Sequence, residues 1–298
     1  MAALTQARIE QLKSVLDAFS DDRGWKKRIT ADPVEFPHRY RDPRDIEVVA
    51  LLSASLAYGR AQLFKPKIDA LLTQLGPAPA HTVANLTVAQ ARELLGGFVY
   101  RFNVGADVAT LLLGIGQALN RHGSLERTYT LAADQQEHWR FGLAAFSSSI
   151  ITGAPSKEIR KALGPTRGLH HLLPSAAVGP AKRQHLFLRW LVRGPDDIDL
   201  GVWQSVNPST LIIPLDTHVA RLSKLLGFTR RNDVSWKTAD EVTAALRQLD
   251  PEDPTRYDFA LCHYGMSGVC PVAPIRANCV KCQLKFHCRV GRRLKPST

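Results

Sequence analysis

Apolar residues recur every three or four positions along most of this chain, and that spacing places them on one face of an α-helix. Near the start, for example, Ile9, Leu12, Leu16 and Phe19 keep this interval with charged residues between them. Strict alternation of apolar and polar residues, which is typical of a half-buried strand, is rare. The pattern therefore predicts an all-α fold.

Glycine- and proline-rich segments separate the periodic stretches and mark where one predicted helix ends and the next begins. The longest apolar stretch, residues 108–119, is too short to span a bilayer and fits a buried helix, so we expect no contact with a membrane. The predicted helices cover residues 5–19, 45–57, 65–75, 88–95, 106–121, 135–150, 156–163, 181–193, 217–226, 237–248 and 255–265.

Charge adds the next constraint, because the 298 residues carry a formal net charge of +12. Hydrophobic content of 45% and charged content of 22% are ordinary for a folded globular protein. A protein with a large excess of positive charge usually binds a polyanion, and nucleic acid is the first candidate. The alternative is a basic surface that binds no such partner. The N-terminal pattern is that of an amphipathic helix rather than a signal peptide. We expect a monomer in the cytoplasm, associated with the nucleoid.

Four of the five cysteines lie near the C-terminus with the spacing C-x8-C-x2-C-x5-C, namely Cys270, Cys279, Cys282 and Cys288. The pair separated by two residues can bind one centre, and the flanking gaps let two more thiolates complete a tetrahedral set. One close pair with unequal arms favours a [4Fe–4S] cluster, with zinc as the alternative. Cys262 lies inside a helical pattern, where a buried apolar role is the expectation.

Basic residues surround the tail cysteines. They can be solvated charge, can compensate a negatively charged cluster, or can contact phosphate once a metal centre holds the loop rigid; we favour phosphate contact. These residues are Arg276, Lys281, Lys285, His287, Arg289, Arg292, Arg293 and Lys295.

Residues 168–194 predict a helix, a short turn and a second helix. The turn contains a glycine, and Pro180 suits the first position of the following helix. The free N–H groups of a helix N-terminus can hold a phosphate. A row of positive charges on one helix face usually lies against an anionic group. The second helix carries such a row, namely Lys182, His185, Arg189 and Arg193.

Lys182 is the candidate nucleophile of this hairpin. Neighbouring cations and the start of a helix are expected to lower its pKa. A neutral amine is the form that attacks a sugar carbon. The alternative is an ordinary surface lysine that contacts phosphate.

The segment IIPLDTHVARLSKLLGF, residues 212–228, places a carboxylate between an apolar run and a helical pattern. Asp216 stands just before Val219, Leu222 and Leu226, which recur at helical spacing. This is the position of an N-cap, whose side chain accepts a free backbone N–H. Capping is therefore the first interpretation of Asp216 from the residues alone.

Taken in order, three segments resemble the helix-hairpin-helix superfamily of base-excision DNA glycosylases, and most closely its iron–sulfur, endonuclease III-like members. They are the hairpin LPSAAVGPAK, the segment PLDTHVARLSKLL and the cysteine tail that follows CHYGMSGVC. LLSASLAYGR is similar to the superfamily's LLSAQ helix. RYRDPRD, LAYGR, KRQHLFLRWLVR and DPTRYDFAL resemble an uncharacterised branch of the superfamily, a domain of unknown function. The chain departs from the pattern in a longer hairpin with one glycine, which displaces Lys182 by one step.

The resemblance implies chemistry at two residues. Asp216 would stabilise the positive charge that develops on the sugar as a base departs. Lys182 would form a Schiff base and cut the strand by β-elimination. Such an enzyme flips its target base out of the duplex and fills the gap. The residues expected to contact DNA are Ser55, Tyr58 and Arg60 from the LLSASLAYGR segment, where Tyr58 is equally well a buried structural tyrosine, and Ser175, Gly179, Arg183, His185 and Arg189 from the hairpin.

The resemblance also implies two lobes with the active cleft between them. A helical lobe of residues 46–195 would end in the hairpin, and residues 1–45 with 196–298 would carry Asp216 and the cysteine loop 269–289. The expected activity is excision of a damaged, oxidised base from double-stranded DNA, with cleavage at abasic sites. A non-catalytic iron–sulfur protein that binds DNA lesions or structures is the alternative, and a zinc protein acting on RNA is a second.

Overall fold

The computed structural model describes residues 5–294, at Arg23 the backbone alone, and the chain is mostly helical there, which confirms the predicted class. Two short strands, β1 (Val99–Tyr100) and β2 (Asn103–Val104), form an antiparallel hairpin. The helices are α1 (Gln6–Ser20), α2 (Pro43–Leu56), α3 (Ala61–Leu75), α4 (Pro79–Ala84), α5 (Val88–Leu95), α6 (Gly105–His122), α7 (Leu125–Ala133), α8 (Trp139–Gly153), α9 (Ser156–Leu163), α10 (Leu169–Leu172), α11 (Lys182–Val192), α12 (Thr217–Leu226), α13 (Trp236–Leu249), α14 (Asp258–Met266) and α15 (Arg276–Lys281).

The helical pattern missed α4, α7, α15 and the strand pair. The strands have two residues each, too few for a recognisable alternation. Helix α7 depends on a tertiary contact, because Glu47 accepts from the N–H groups of Leu125 at 2.8 Å and Glu126 at 3.2 Å. A carboxylate from a distant helix thus satisfies donors that a local pattern leaves open.

The chain divides into two units, and we call the segment Ile29–Val206 the hairpin unit. Helix α2 packs against α11 and α4, and α6 packs against α8, α4 and α5. Every residue of α6 from 105 to 116 is buried, as the apolar stretch predicts. Within residues 5–294, no helix combines the length and the apolar character that crossing a membrane requires.

The hairpin unit extends beyond the predicted lobe of residues 46–195 at both ends. At the start, Lys65 of α3 pairs with Glu35 at 2.8 Å. At the end, Trp203 donates through Nε1 to Glu47 at 3.0 Å. These contacts join segments that are distant in sequence, so periodicity does not predict them.

The second unit, which we call the cysteine unit, combines Met1–Arg28 with Asn207–Thr298. Helix α1 packs against α13 and α14, and α12 packs against α14. The hydroxyl of Tyr257 donates to Asp17 of α1 at 2.8 Å, which fastens the N-terminal helix to the C-terminal segment. This unit therefore contains both Asp216 and the cysteine tail.

Candidate functional site

Asp216 caps the N-terminus of α12, as the local pattern predicts. Its Oδ1 accepts hydrogen bonds from the backbone N–H groups of His218 at 2.9 Å and Val219 at 2.8 Å. The side chain is half-buried. Two backbone donors fix the orientation of the carboxylate and place it at the positive end of the helix dipole.

The second carboxylate oxygen of Asp216 is approached by α14. The Sγ atom of the buried residue Cys262 lies 3.4 Å from Oδ2, within reach of a weak S–H donor. Helix α14 can come this close because Gly265 has no side chain, and a Cβ atom there would lie 2.7 Å from the Cβ of His218. Two helices of one unit therefore position this carboxylate, and Cys262 occupies the buried position that the sequence predicts.

The four tail cysteines line a single small cavity of the cysteine unit, with a volume of about 30 Å³. Leu225 at the end of α12 and Tyr264 of α14 contribute to its wall. Burial raises the pKa of the Cys279 thiol, and so do the neighbouring thiols of the other three cysteines. The thiols that lie up to eighteen positions apart in sequence are thus close enough to repel one another when ionised.

Two hydrogen-bond donors point at sulfur atoms of this set. Arg221 of α12 donates through Nη1 to Sγ of Cys270 at 3.2 Å and through Nη2 to the carbonyl of Gly265 at 3.3 Å. The hydroxyl of Tyr264 donates to Sγ of Cys282 at 3.0 Å. The sequence pattern predicts neither donor, although Arg221 lies in PLDTHVARLSKLL and Tyr264 in CHYGMSGVC. Their partners follow only from how α12 and α14 pack against the tail.

The tail that carries the cysteines is fastened to the helices of its unit. Arg8 of α1 donates through Nη2 to the carbonyl of His287 at 2.6 Å, and the N–H of Arg289 donates to the carbonyl of Leu225 at 2.8 Å. Within residues 5–294, no group of three or more His, Cys, Asp or Glu side chains stands in an arrangement that could hold a metal ion. Of the basic tail residues, Lys295 lies outside the described residues, and the exposed ones are Arg276, Lys281, Arg292 and Arg293.

Lys182 is the first residue of α11 and is half-buried. The residue before it, Ala181, has a left-handed backbone with φ of 44°. The first helix of the predicted hairpin is the single turn α10, so residues 173–181 form a loop between the two helices. No side chain caps α11 in the part of the chain that the structure describes. Helix α11 therefore begins two residues after Pro180, which the sequence pattern placed at the first helical position.

The cationic row of α11 is corrected by the structure. His185 and Arg189, predicted to contact DNA, each have 2% of their surface exposed. Arg189 pairs through Nε with Asp199 at 3.2 Å, and Arg193 pairs with the same carboxylate at 2.7 Å. The anion that Arg189 and Arg193 face is an internal carboxylate, because residues 184–192 of α11 are buried in the hairpin unit.

Protonation of His185 is expected to oppose folding. Burial lowers the pKa of His185 to about 3, from an ordinary value of 6.5. Because the folded pKa is depressed, its contribution to stability is complete above the unfolded value and is lost as pH falls, by about 2 kcal/mol at about pH 5. Urea unfolding at about pH 7 and about pH 5 measures this loss. Between these two pH values, the free energy of unfolding of His185→Leu should fall by about 2 kcal/mol less than that of the wild type. Equal decreases in the two proteins would contradict the burial of a neutral His185.

Arg183 and Ser55 also serve the interior rather than a surface. The guanidinium of Arg183 donates to the main-chain carbonyls of Ser55 and His171, and it lies 4.9 Å from the ring centre of Tyr58. Ser55 is 2% exposed. Burial removes Ser55 from any DNA surface, and the half-buried Arg183 fastens the end of α2 to the hairpin. Desolvation by this burial lowers the pKa of Arg183 to about 10.

The other residues that were predicted to contact DNA are at least partly exposed to solvent. Arg60 and Ser175 are exposed, and Gly179 and Tyr58 are half-buried. Tyr58 packs against the ring of Tyr100 with 4.9 Å between centroids, which favours the structural role for Tyr58. Arg60, Ser175 and Gly179 belong to the hairpin unit together with Lys182, whereas Asp216 and the cysteines belong to the cysteine unit.

Comparison with known proteins links the chain to a protein family. A family model described as a protein of unknown function (DUF2400) matches residues 32–267. No curated protein and no solved structure matches the chain.

Proposed function

Since the chain belongs to the DUF2400 family, for which no function is known, we propose an activity from its own residues: excision of a damaged base from double-stranded DNA. The proposal includes the helix-hairpin-helix glycosylase fold and an iron–sulfur cluster on the tail cysteines. It also includes action on chromosomal DNA in the cytoplasm, as a monomer. An oxidised base is the expected lesion.

The placement of Asp216 is the observation that carries the proposal. Its carboxylate is oriented by the N–H groups of His218 and Val219 and is half-buried rather than hydrated on all sides. Breaking an N-glycosidic bond builds positive charge at C1′ of the sugar. An anion held in a fixed orientation in a poorly hydrated site lowers that barrier, because it needs no reorganisation as the charge develops. Capping and catalysis use the same geometry, so the two interpretations of Asp216 are compatible.

Lys182 supplies the nucleophile of the proposed chemistry. Its Nζ forms a bond to C1′ while the bond from C1′ to the base breaks, and the base leaves with that electron pair and takes up a proton. The nitrogen then loses a proton, and its lone pair forms the C1′=N bond as the bond from C1′ to the ring oxygen breaks and that oxygen takes up a proton, which leaves a protonated imine. Removal of a proton from C2′ then expels the 3′-phosphate and cuts the strand. The half-buried position of Lys182 at a helix start supports this role.

The four cysteines would hold the proposed [4Fe–4S] cluster, which would supply a rigid structural centre. Their shared cavity supports this assignment, as do Arg221 and Tyr264, which donate to two of the sulfur atoms and so stabilise thiolate charge. The exposed basic residues around the cavity would then form a fixed surface for DNA phosphates, which agrees with the net charge of +12.

A panel of duplexes, each with one lesion, tests the activity. Release of one base and not of the others would identify the substrate. Tight binding of a lesion with no release from any duplex would instead support a non-catalytic lesion-binding protein. Binding should weaken steeply as salt rises, since phosphate contacts release counterions.

Borohydride trapping is expected to link wild-type protein covalently to DNA with an abasic site, and Lys182→Ala should abolish the adduct. The reason is that only an amine forms the imine that borohydride reduces. Lys182→Arg keeps the positive charge without the nucleophile and should also give no adduct. Lys161→Ala removes an exposed lysine of α9 and serves as the matched control. An undiminished adduct with Lys182→Ala would show that another residue is the nucleophile.

A further inference from the structure

The tip of the β1–β2 hairpin presents an aromatic ring to solvent. The register pairs Val99 with Val104 and Tyr100 with Asn103, so Arg101 and Phe102 form the two-residue turn. Phe102 has 52% of its surface exposed. Small residues such as glycine or asparagine are preferred in such turns because they tolerate positive φ, yet Arg101 adopts φ of 50°. The large side chain of Arg101 therefore stands where the backbone favours a small residue.

The base of this hairpin is held from two sides. Two hydrogen bonds join Tyr58 to Tyr100, since the hydroxyl of each residue donates to the main-chain carbonyl of the other. Asn103 donates through Nδ2 to the carbonyl of Gly168 at 2.7 Å. A Cβ atom at residue 168 would lie 2.4 Å from the carbonyl oxygen of Phe102, so the glycine allows this close approach. The exposed tip is thus carried on a firmly packed base.

The surroundings of the Phe102 ring are aromatic and cationic. The imidazole of His171 stacks on the ring with 4.4 Å between centroids and 24° between planes. The guanidinium of Arg101 lies 5.6 Å from the ring centre. Asp107 acts electrostatically on His171, but it is fully buried, and its carboxylate accepts hydrogen bonds from backbone N–H groups, including that of Val104 at 2.8 Å. It therefore adds no carboxylate to the exposed surface of the tip. The exposed tip therefore combines a planar apolar surface with positive charge.

We propose that Phe102 is the residue by which the hairpin unit stacks on DNA. Its ring packs against a base that is exposed when a neighbouring nucleotide leaves the duplex, and Arg101 contacts the adjoining phosphate. An aromatic ring stacks on a nucleic-acid base, and a guanidinium beside it can contact the phosphate of the same strand. The inference deepens the proposed function and rests on DNA as the substrate. It does not require Asp216 or Lys182 to be catalytic.

The test uses the full-length protein and a duplex in which 2-aminopurine adjoins a stable abasic-site analogue. Phe102→Ala should weaken binding about tenfold and reduce the fluorescence change that reports altered stacking of the probe. Phe102→Trp should keep both. Val99→Ala is the matched control, because Val99 lies on the same hairpin and is 58% exposed. In a plot of the logarithm of the binding constant against the logarithm of the salt concentration, Arg101→Ala should make the negative slope shallower by about 0.9, the value of one phosphate contact.

The outcomes separate this inference from base excision. If Phe102→Ala behaves as Val99→Ala does in both measurements, stacking by Phe102 is refuted even when base release is normal. If the wild type shows the Phe102-dependent signal but releases no base, the stacking role stands and the proposed enzymatic function fails. If the wild type binds no DNA, both are refuted. An equal effect of Phe102→Ala on intact duplex and on the abasic duplex would also overturn the proposal, since no base is exposed in the former.

Discussion

Asp216→Asn is expected to slow base release at least about 100-fold while the fold and the affinity for DNA change little. Asparagine caps a helix about as well as aspartate, so its oxygen can keep the bonds from His218 and Val219. The substitution removes the negative charge, which is the property that stabilises the sugar as the base departs. Single-turnover assays of base release with saturating protein measure the chemical step separately from binding.

Ser235→Ala is the control for this substitution. Ser235 caps α13 in the same unit by accepting from the N–H of Thr238, so its loss costs about 1 kcal/mol of stability without touching the proposed chemistry. Its base release should match that of the wild type. Were Asp216→Asn to release base at the wild-type rate, Asp216 would be a cap only and the proposed mechanism would fail.

Replacement of Cys282 by alanine is expected to remove the metal centre. Wild-type protein purified without oxygen should contain iron and acid-labile sulfide in equal amounts, about four of each per chain. The variant should lose most of both, because one ligand is missing and the hydroxyl of Tyr264 loses its sulfur partner. Without the centre, the basic tail loses its fixed shape and affinity for DNA should fall. Elemental analysis and a sulfide assay give the stoichiometry.

Cys262→Ala provides the comparison for the metal measurement. Cys262 is the one cysteine of the sequence that does not line the tail cavity in the described structure; its thiol faces Asp216. Its removal should leave iron and sulfide unchanged. Zinc in place of iron in the wild type would support the zinc alternative. Iron that survives in Cys282→Ala and disappears in Cys262→Ala would show that the ligand set is wrong.

Local patterns predicted the features that depend on neighbouring residues. The position of α12 and its cap at Asp216 followed from an acid placed before Val219 and Leu222 at helical spacing. The burial of Cys262 followed in the same way from the apolar helical segment around it. In both cases the interactions that decide the structure span a few residues, so the sequence displays them directly.

Side-chain roles that depend on distant segments were missed or wrong. Lys182, His185 and Arg189 recur at helical intervals, but spacing alone does not say what their face packs against. The structure places Asp199 against Arg189 and buries His185, which removes both from a DNA surface. The exposed ring of Phe102 was missed because its hairpin has strands of two residues and is held by Tyr58 and Gly168.

Side-chain periodicity, capping chemistry and spacing along the chain were enough to predict the helical class, the N-cap at Asp216 and the close grouping of four cysteines. Tertiary structure decided which cations of α11 are internal, which donors reach the sulfur atoms of Cys270 and Cys282, and which aromatic ring is left exposed. The reason is physical: burial and ion pairing depend on which segments meet in space, and segments far apart in sequence meet only when the whole unit has folded.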